Sequence, residues 1–100
     1  MVNEIQRIVD EYIKSTDDGY WPPLAMFAAL VEEVGETGRI INSLENFKPL
    51  KNNGKTRTSH DLLQEELGDV FFALCCLANY YNVSLDKALT DTLDKYAKRK

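Results

Sequence analysis

Between Leu24 and Ile41 apolar residues recur in alternating steps of three and four, and between Leu63 and Tyr81 they do so again. That spacing follows the 3.6-residue turn of an α-helix and contradicts the two-residue period of a strand. In the second helix of the chain, expected from about Pro23 to about Leu44, the seam is Leu24, Phe27, Val31, Val34, Gly38 and Ile41. In the third, expected from about Ser59 to about Tyr81, it is Leu63, Leu67, Val70, Leu74, Leu77 and Tyr81. Two long helices with continuous apolar seams commit the chain to helix-on-helix packing.

Each of these helices carries a second seam, and there acids interrupt the apolar pattern. Met26, Ala29, Glu33, Glu36 and Ile40 form one, roughly 150° around the helix from the first seam at about 100° per residue. Leu62, Glu66, Asp69, Ala73, Cys76 and Tyr80 form the other. Each pair of acids is one turn apart on one face. If the helices pack antiparallel through these seams, four carboxylates converge in a groove. Four like charges cannot all stay ionised there unless cations neutralise them, and no lysine or arginine lies on either seam. An all-oxygen donor set without His or Cys selects hard cations, magnesium or manganese. The lone His60 is not placed for the Glu-x-x-His pairs of a di-iron bundle. The plainer alternative leaves the acids on the surface. Glu32 points nearer the side of Arg39 and Ser43, a solvent-facing position.

The remaining segments complete an all-α plan. Ile5, Ile8, Val9, Tyr12 and Ile13 stripe a first amphipathic helix, with Asn3 and Gln6 spaced as a capping box. Asp17-Asp18-Gly19 ends it, and Pro22-Pro23 opens the next helix where proline costs least. Val83-Ser84 reads as a staple residue and N-cap for a fourth helix bearing Leu85, Leu89, Leu93 and Tyr96. The third helix is apolar nearly all round from Val70 to Ala78. A chain of 100 residues cannot cover every side of such a helix. The expectation is one domain over residues 1–100, a four-helix bundle completed by oligomerisation.

Charge and cysteine narrow the function classes. Sixteen acidic residues against 12 basic ones give a net charge of −4, which speaks against a uniformly basic nucleic-acid binder. Eight of the 12 cations fall in two clusters: Lys48, Lys51, Lys55 and Arg57, and Lys95, Lys98, Arg99 and Lys100. They are either solvated surface or mobile arms that meet an anion such as a polyphosphate. Adjacent Cys75 and Cys76 point about 100° apart on a helix, so they read as buried apolar thiols rather than a bridge. The longest uncharged stretch, Val70 to Leu85, is too short for the roughly 20 residues of a spanning helix, so no membrane association is expected. The opening residues Val2 to Arg7 lack a signal-peptide core, and a cytoplasmic location is expected.

Glu32-Glu33-Val34-Gly35-Glu36 followed by Glu66-Leu67-Gly68-Asp69 reads as E-E-x-x-E and then E-x-x-D. In that order, on two helices, and preceded by Gly19-Tyr20-Trp21-Pro22-Pro23-Leu24, the pattern resembles the MazG-like nucleoside triphosphate pyrophosphohydrolases of the all-α NTP pyrophosphatase superfamily. The resemblance extends over most of the chain, including Glu65 to Ala78 and Tyr81 to Lys95. The gap between Glu36 and Glu66 is on the long side for that family. The resemblance implies magnesium-dependent hydrolysis of a nucleoside triphosphate to monophosphate and pyrophosphate in nucleotide-pool house-cleaning, with manganese as a substitute ion. By position it implies Glu33, Glu36, Glu66 and Asp69 as metal ligands and Glu32 or Glu33 as the base that takes a proton from water. Lys95 and Arg99 match a Lys-x-x-x-Arg and would hold phosphates. Trp21, with Tyr20, is either a stacking surface for the base or a plug over the bundle end. A homodimer or homotetramer is implied, with no nucleic-acid partner.

Two other readings remain open at this point. One is a phosphoribosyl-ATP pyrophosphohydrolase of the same superfamily, against which the Gly-Tyr-Trp-Pro-Pro segment and Glu-Leu-Gly-Asp weigh. The other is a non-catalytic helical adaptor docking through its basic arms, which would bind no magnesium.

Overall fold

In the computed structural model, which describes residues 1–45 and 58–99, four helices follow one another with no strand among the described residues. They are α1 (Val2–Ser15), α2 (Pro23–Leu44), α3 (Ser59–Tyr80) and α4 (Leu85–Ala97). The boundaries follow the punctuation of the sequence. Pro23 occupies the first turn of α2, where its missing N–H would have no partner in any case. Thr58 and Asp61 cap α3 reciprocally: the Asp61 N–H donates to the Thr58 hydroxyl at 3.1 Å, and the Thr58 N–H to the Asp61 carboxylate at 3.2 Å. The Ser84 hydroxyl accepts from the Lys87 N–H at 3.2 Å and so caps α4. At the end of α3, Asn82 takes a left-handed φ of 56°. There the Val83 N–H reaches Ala78 O at 2.8 Å and the Asn82 N–H reaches Asn79 O at 3.1 Å, the paired bonds of a Schellman motif. The basic segment bearing Lys48, Lys51, Lys55 and Arg57, and Lys100 at the other end, lie outside the described residues.

The start of α1 departs from the expected capping box. The helix begins at Val2 and no side chain next to it in sequence caps it. Instead the Asp86 carboxylate, from the first turn of α4, accepts from the Val2 and Asn3 N–H groups at 3.1 and 3.0 Å. Those two donors, Asn3 first, together with the nearby N-terminal ammonium, hold the Asp86 carboxyl below its ordinary range. Asn3 accepts instead from the Ser84 hydroxyl at 2.8 Å. Gln6, 7% exposed, is a cross-link rather than a cap. Its amide nitrogen donates to Asn79 Oδ1 and Val83 O, and its oxygen accepts from the Leu85 N–H. Every bond it makes leads to the α3–α4 turn, so a buried amide is fully satisfied where a local cap was expected.

Helices α2 and α3 form the main packing unit, α1 lies on α3, and α4 lies chiefly on α1. The serine hydroxyls of Ser43 and Ser59 meet at 3.3 Å, which sets the end of α2 beside the start of α3 and makes the pair antiparallel. The contact runs through the second seams. Met26 and Ile40 on α2 are 5% and 3% exposed, and Ala73, Cys76 and Ala78 on α3 are buried with them. Each large aliphatic side chain buried this way contributes about 1.5–3 kcal/mol. Cys75 and Cys76 are both free and buried.

The uninterrupted apolar seam of α2 faces outward, whereas that of α3 alternates half-buried Leu63, Val70 and Leu77 with exposed Leu67 and Leu74. Leu24 is 82% exposed, Val31 55%, and Phe27, Val34, Ile41, Leu67 and Leu74 are also exposed. So are Leu89, Leu93 and Tyr96 on α4. The radius of gyration is 16.3 Å, against about 13 Å for 100 compactly folded residues. The chain turns its acid-bearing seams to its own core and leaves the clean apolar face of α2, with part of that of α3, to water.

Candidate active site

The antiparallel register of α2 and α3 brings Glu33 opposite Glu66 and Asp69. Carboxylate oxygens of these three residues all lie within 4.8 Å of one another. Glu33 and Glu66 are half-buried, whereas Asp69 is exposed, so the cluster opens to water on one side. The crowding shows in the acidities. The Glu66 carboxyl is pushed up to about 7, first by a proton shared with Glu33, then by burial and by the charges of Glu33, Asp69 and Glu36. Asp69 is also raised, by partial burial and by the charges of Glu33 and Glu65. One Glu66 oxygen, Oε2, is buried and has no hydrogen-bond partner.

Glu36 stands apart from this triad. It is exposed, and its carboxylate accepts from the Arg39 guanidinium at 2.8 Å. The second seams hold no cation, yet one reaches in from the side, because residues three apart on a helix are neighbours. That spacing was the signal by which Arg39 could have been found. Glu32, one residue before Glu33, is exposed on the outer side of α2.

A cavity of about 460 Å³ adjoins the acids, with Glu33 and Asp69 in its lining. Tyr12 and Ile13 of α1, the turn from Asp18 to Trp21, and Met26, Phe72 and Cys76 are among its other walls. Tyr12 and Phe72 meet edge to face with ring centres 6.1 Å apart. Trp21 is 55% exposed and lines this cavity. Burial pushes the Cys76 thiol up to about 11, so it presents itself as an apolar, unreactive part of the wall. Tyr12, Met26, Phe72 and Cys76 were legible in the sequence only as core apolar residues.

Lys95 and Arg99 do not join the cavity within the chain. Both lie against the ring of Tyr96, their charged groups 5.3 and 5.2 Å from its centre.

Residues 22–100, most of the chain, match the MazG nucleotide pyrophosphohydrolase domain. The chain belongs to the MazG nucleotide pyrophosphohydrolase family. This MazG chain is 40% identical over 98 residues to the protein YpjD of Bacillus subtilis (strain 168), covering 98% of its own length and 85% of that protein. Its fold superposes on the crystal structure of YPJD from Bacillus subtilis, a candidate pyrophosphatase, with a TM-score of 0.79 and 38% identity, over 96% of this chain and 94% of that one. A Bacillus-conserved MazG protein, a nucleotide pyrophosphohydrolase, superposes with a TM-score of 0.75 and 35% identity, over 96% of this chain and 88% of that one. As a MazG-family chain it is a hydrolase of the pyrophosphohydrolase type, with four helices and an acidic cluster able to hold a metal ion. Among the described residues no helix is long and apolar enough to cross a membrane.

Proposed function

We propose that this MazG protein hydrolyses a nucleoside triphosphate to the nucleoside monophosphate and pyrophosphate with magnesium. The observation that carries this is the orphaned Glu66 Oε2, buried within a three-carboxylate cluster beside a cavity walled by aromatic side chains. A buried acceptor without a donor needs either a proton or a cation, and three oxygen ligands on one side of a site suit a hard divalent ion. Glu33, Glu66 and Asp69 would hold the ion. Glu36 can turn inward to join them, since an exposed ion pair such as the one it makes with Arg39 is worth at most about 1 kcal/mol. Magnesium bound there would supply positive charge against phosphate oxygens and would acidify water beside them.

The chain's own groups do the rest. Glu33, or Glu32 after rotating inward, accepts the proton from the attacking water. Trp21 and Tyr12 line the cavity and would pack against the base, which would position the triphosphate over the acids. We also propose that the exposed seams of α2 and α3 are covered by a second copy, as a homodimer or a homotetramer. Burying each of the exposed Leu, Val and Phe side chains would contribute of order 1.5–3 kcal/mol before association costs are counted. Lys95 and Arg99, standing outside the cavity of their own chain, would then meet phosphates across such an interface.

The test is a pyrophosphate-release screen over ribo- and deoxyribonucleoside triphosphates with magnesium, run beside phosphoribosyl-ATP. Magnesium-dependent pyrophosphate from at least one nucleoside triphosphate is the expected result. Orthophosphate as the direct product, or full activity in chelator, would overturn the proposal.

A further inference from the structure

Trp21 is the one tryptophan of the chain, and it sits in a short connection that has little to hold it. After α1 ends at Ser15, Gly19 turns the chain with a left-handed φ of 63°, a conformation that suits glycine and strains other residues. Pro22 and Pro23 then lock the entry to α2. Between Gly19 and the prolines, the side chain with a strong tertiary anchor is Tyr20.

The Tyr20 hydroxyl donates to Asp10 Oδ1 on α1 at 2.6 Å. Asp10 is steadied from its other oxygen by Lys14 at 3.0 Å. The Tyr20 ring packs edge-on against Tyr80 of α3, with centres 6.4 Å apart. Tyr20 lines the cavity that Glu33 and Asp69 enter, and it also lines a separate, open polar groove that contains Asp10 and Asn79. It is therefore a partition, with its ring as cavity wall and its hydroxyl tied down on the far side. The bond also joins two walls of the cavity, because Asp10 is on the helix that carries Tyr12 and Ile13.

We propose that Asp10 and Tyr20 are positioning residues whose hydrogen bond holds Trp21 and the α1 wall in one arrangement facing the acidic cluster, and so sets nucleotide affinity rather than the rate of bond cleavage. The inference rests on the function proposed above. A connection already ordered in the free protein does not have to be ordered by the ligand, and that saving appears in binding. The acids that would hold the ion are untouched by the bond, so turnover at saturation is preserved.

The experiment compares Tyr20→Phe, Asp10→Ala, Asp10→Asn and Lys14→Ala with wild type in two readouts, acrylamide quenching of Trp21 fluorescence and steady-state kinetics. Tyr20→Phe keeps the ring, and Asp10→Asn keeps an oxygen acceptor while losing the charge. Tyr20→Phe and Asp10→Ala should each make Trp21 more quenchable and raise KM about tenfold, with kcat within about threefold of wild type. Their double variant should be no worse than Tyr20→Phe alone, which loses the contact of the hydroxyl with Asn79 as well as the bond to Asp10. Asp10→Asn and Lys14→Ala should stay near wild type in both readouts. Wild-type quenching and KM in Tyr20→Phe would overturn the proposal, and so would Asp10→Asn behaving like Asp10→Ala, since charge and not the bond would then matter. If Tyr20→Phe melts below the assay temperature, the Asp10→Ala and Asp10→Asn pair decides alone. A wild type that releases no pyrophosphate would defeat the proposed function, whereas Trp21 quenching would still decide whether the bond orders the segment.

Discussion

Arg39 holds the Glu36 carboxylate at 2.8 Å, one turn beyond the point where Glu33, Glu66 and Asp69 converge. Glu33 and Glu36 thus share a helix face, yet Glu36 is engaged elsewhere. If Glu36 completes the metal site, Arg39 competes with the ion for it. Arg39→Ala should tighten magnesium binding by about 1.4- to fivefold, the range an exposed ion pair of about 0.2–1 kcal/mol allows. Glu36→Gln should weaken it by tenfold or more. Calorimetric titration of magnesium into each variant checks both, and an Arg39→Ala protein that binds the ion no better would show that Glu36 stays outside the site.

Neutralising the crowded acids should separate stability from activity. Without divalent ions, Asp69→Asn and Glu66→Gln should melt at or above wild type, because each removes like charge from the cluster. Catalysis should fall by at least a hundredfold. Adding magnesium should raise the wild-type melting temperature by several degrees and leave these variants almost unmoved. Thermal melts with and without the ion are the measurement, and equal gains in variant and wild type would argue against the ligand assignment.

Glu66 predicts a direction for stability against pH. Its carboxyl is raised from 4.5 to about 7 in the folded chain, so the folded state holds this proton more tightly than the unfolded one. The contribution is fully present below pH 4.5 and is lost as pH rises through about 7. Metal-free protein should therefore lose about 1–2 kcal/mol of stability from Glu66 across that window, less than the full shift implies because water reaches the site. Glu66→Gln should flatten this part of the profile. Denaturant melts at several pH values in chelator read the slope, and a rise in wild-type stability assignable to Glu66 would contradict the sign.

Charge placed on the exposed seam of α2 should reveal what covers it. Val31 is exposed in the isolated chain, so Val31→Lys should leave a helical, folded monomer if a second copy normally packs there. Sedimentation at micromolar concentration should show wild type as a dimer or tetramer and the variant as a smaller species. A monomeric wild type would remove the oligomer from the proposal.

The helices were legible because their signals are local. Pro22-Pro23 and Ser84 act within one turn of where they stand, and the observed boundaries follow them, with α3 ending at Tyr80 rather than Tyr81. The acidic seams were visible for the same reason, since periodicity assigns residues to a helix face. What periodicity cannot do is match one face to another. Asn3 and Gln6 have the spacing of a capping box, yet their partners are Ser84, Asn79, Val83 and Leu85, more than seventy residues away. Gln6 pairs with these groups because burial there demands satisfaction of a polar turn, a demand created only when α1 lies on α3.

By itself the sequence determined four helices, two acid-bearing seams on the long ones, and membership of the MazG family through the order and spacing of Glu33, Glu36, Glu66 and Asp69. Tertiary structure alone decided which seam turns inward. The clean apolar seams would be the first choice for a core, but packing α2 on α3 through Met26, Ile40, Ala73 and Cys76 leaves that of α2 outside and that of α3 only half covered. The same packing set three carboxylates within 4.8 Å, left Glu36 to Arg39, and built the cavity from α1, the Gly19–Trp21 turn and α3. The physical reason is that a helix has several faces and its sequence ranks them only by hydrophobicity, whereas packing selects by the shape of the partner and by the cost of burying unpaired charge.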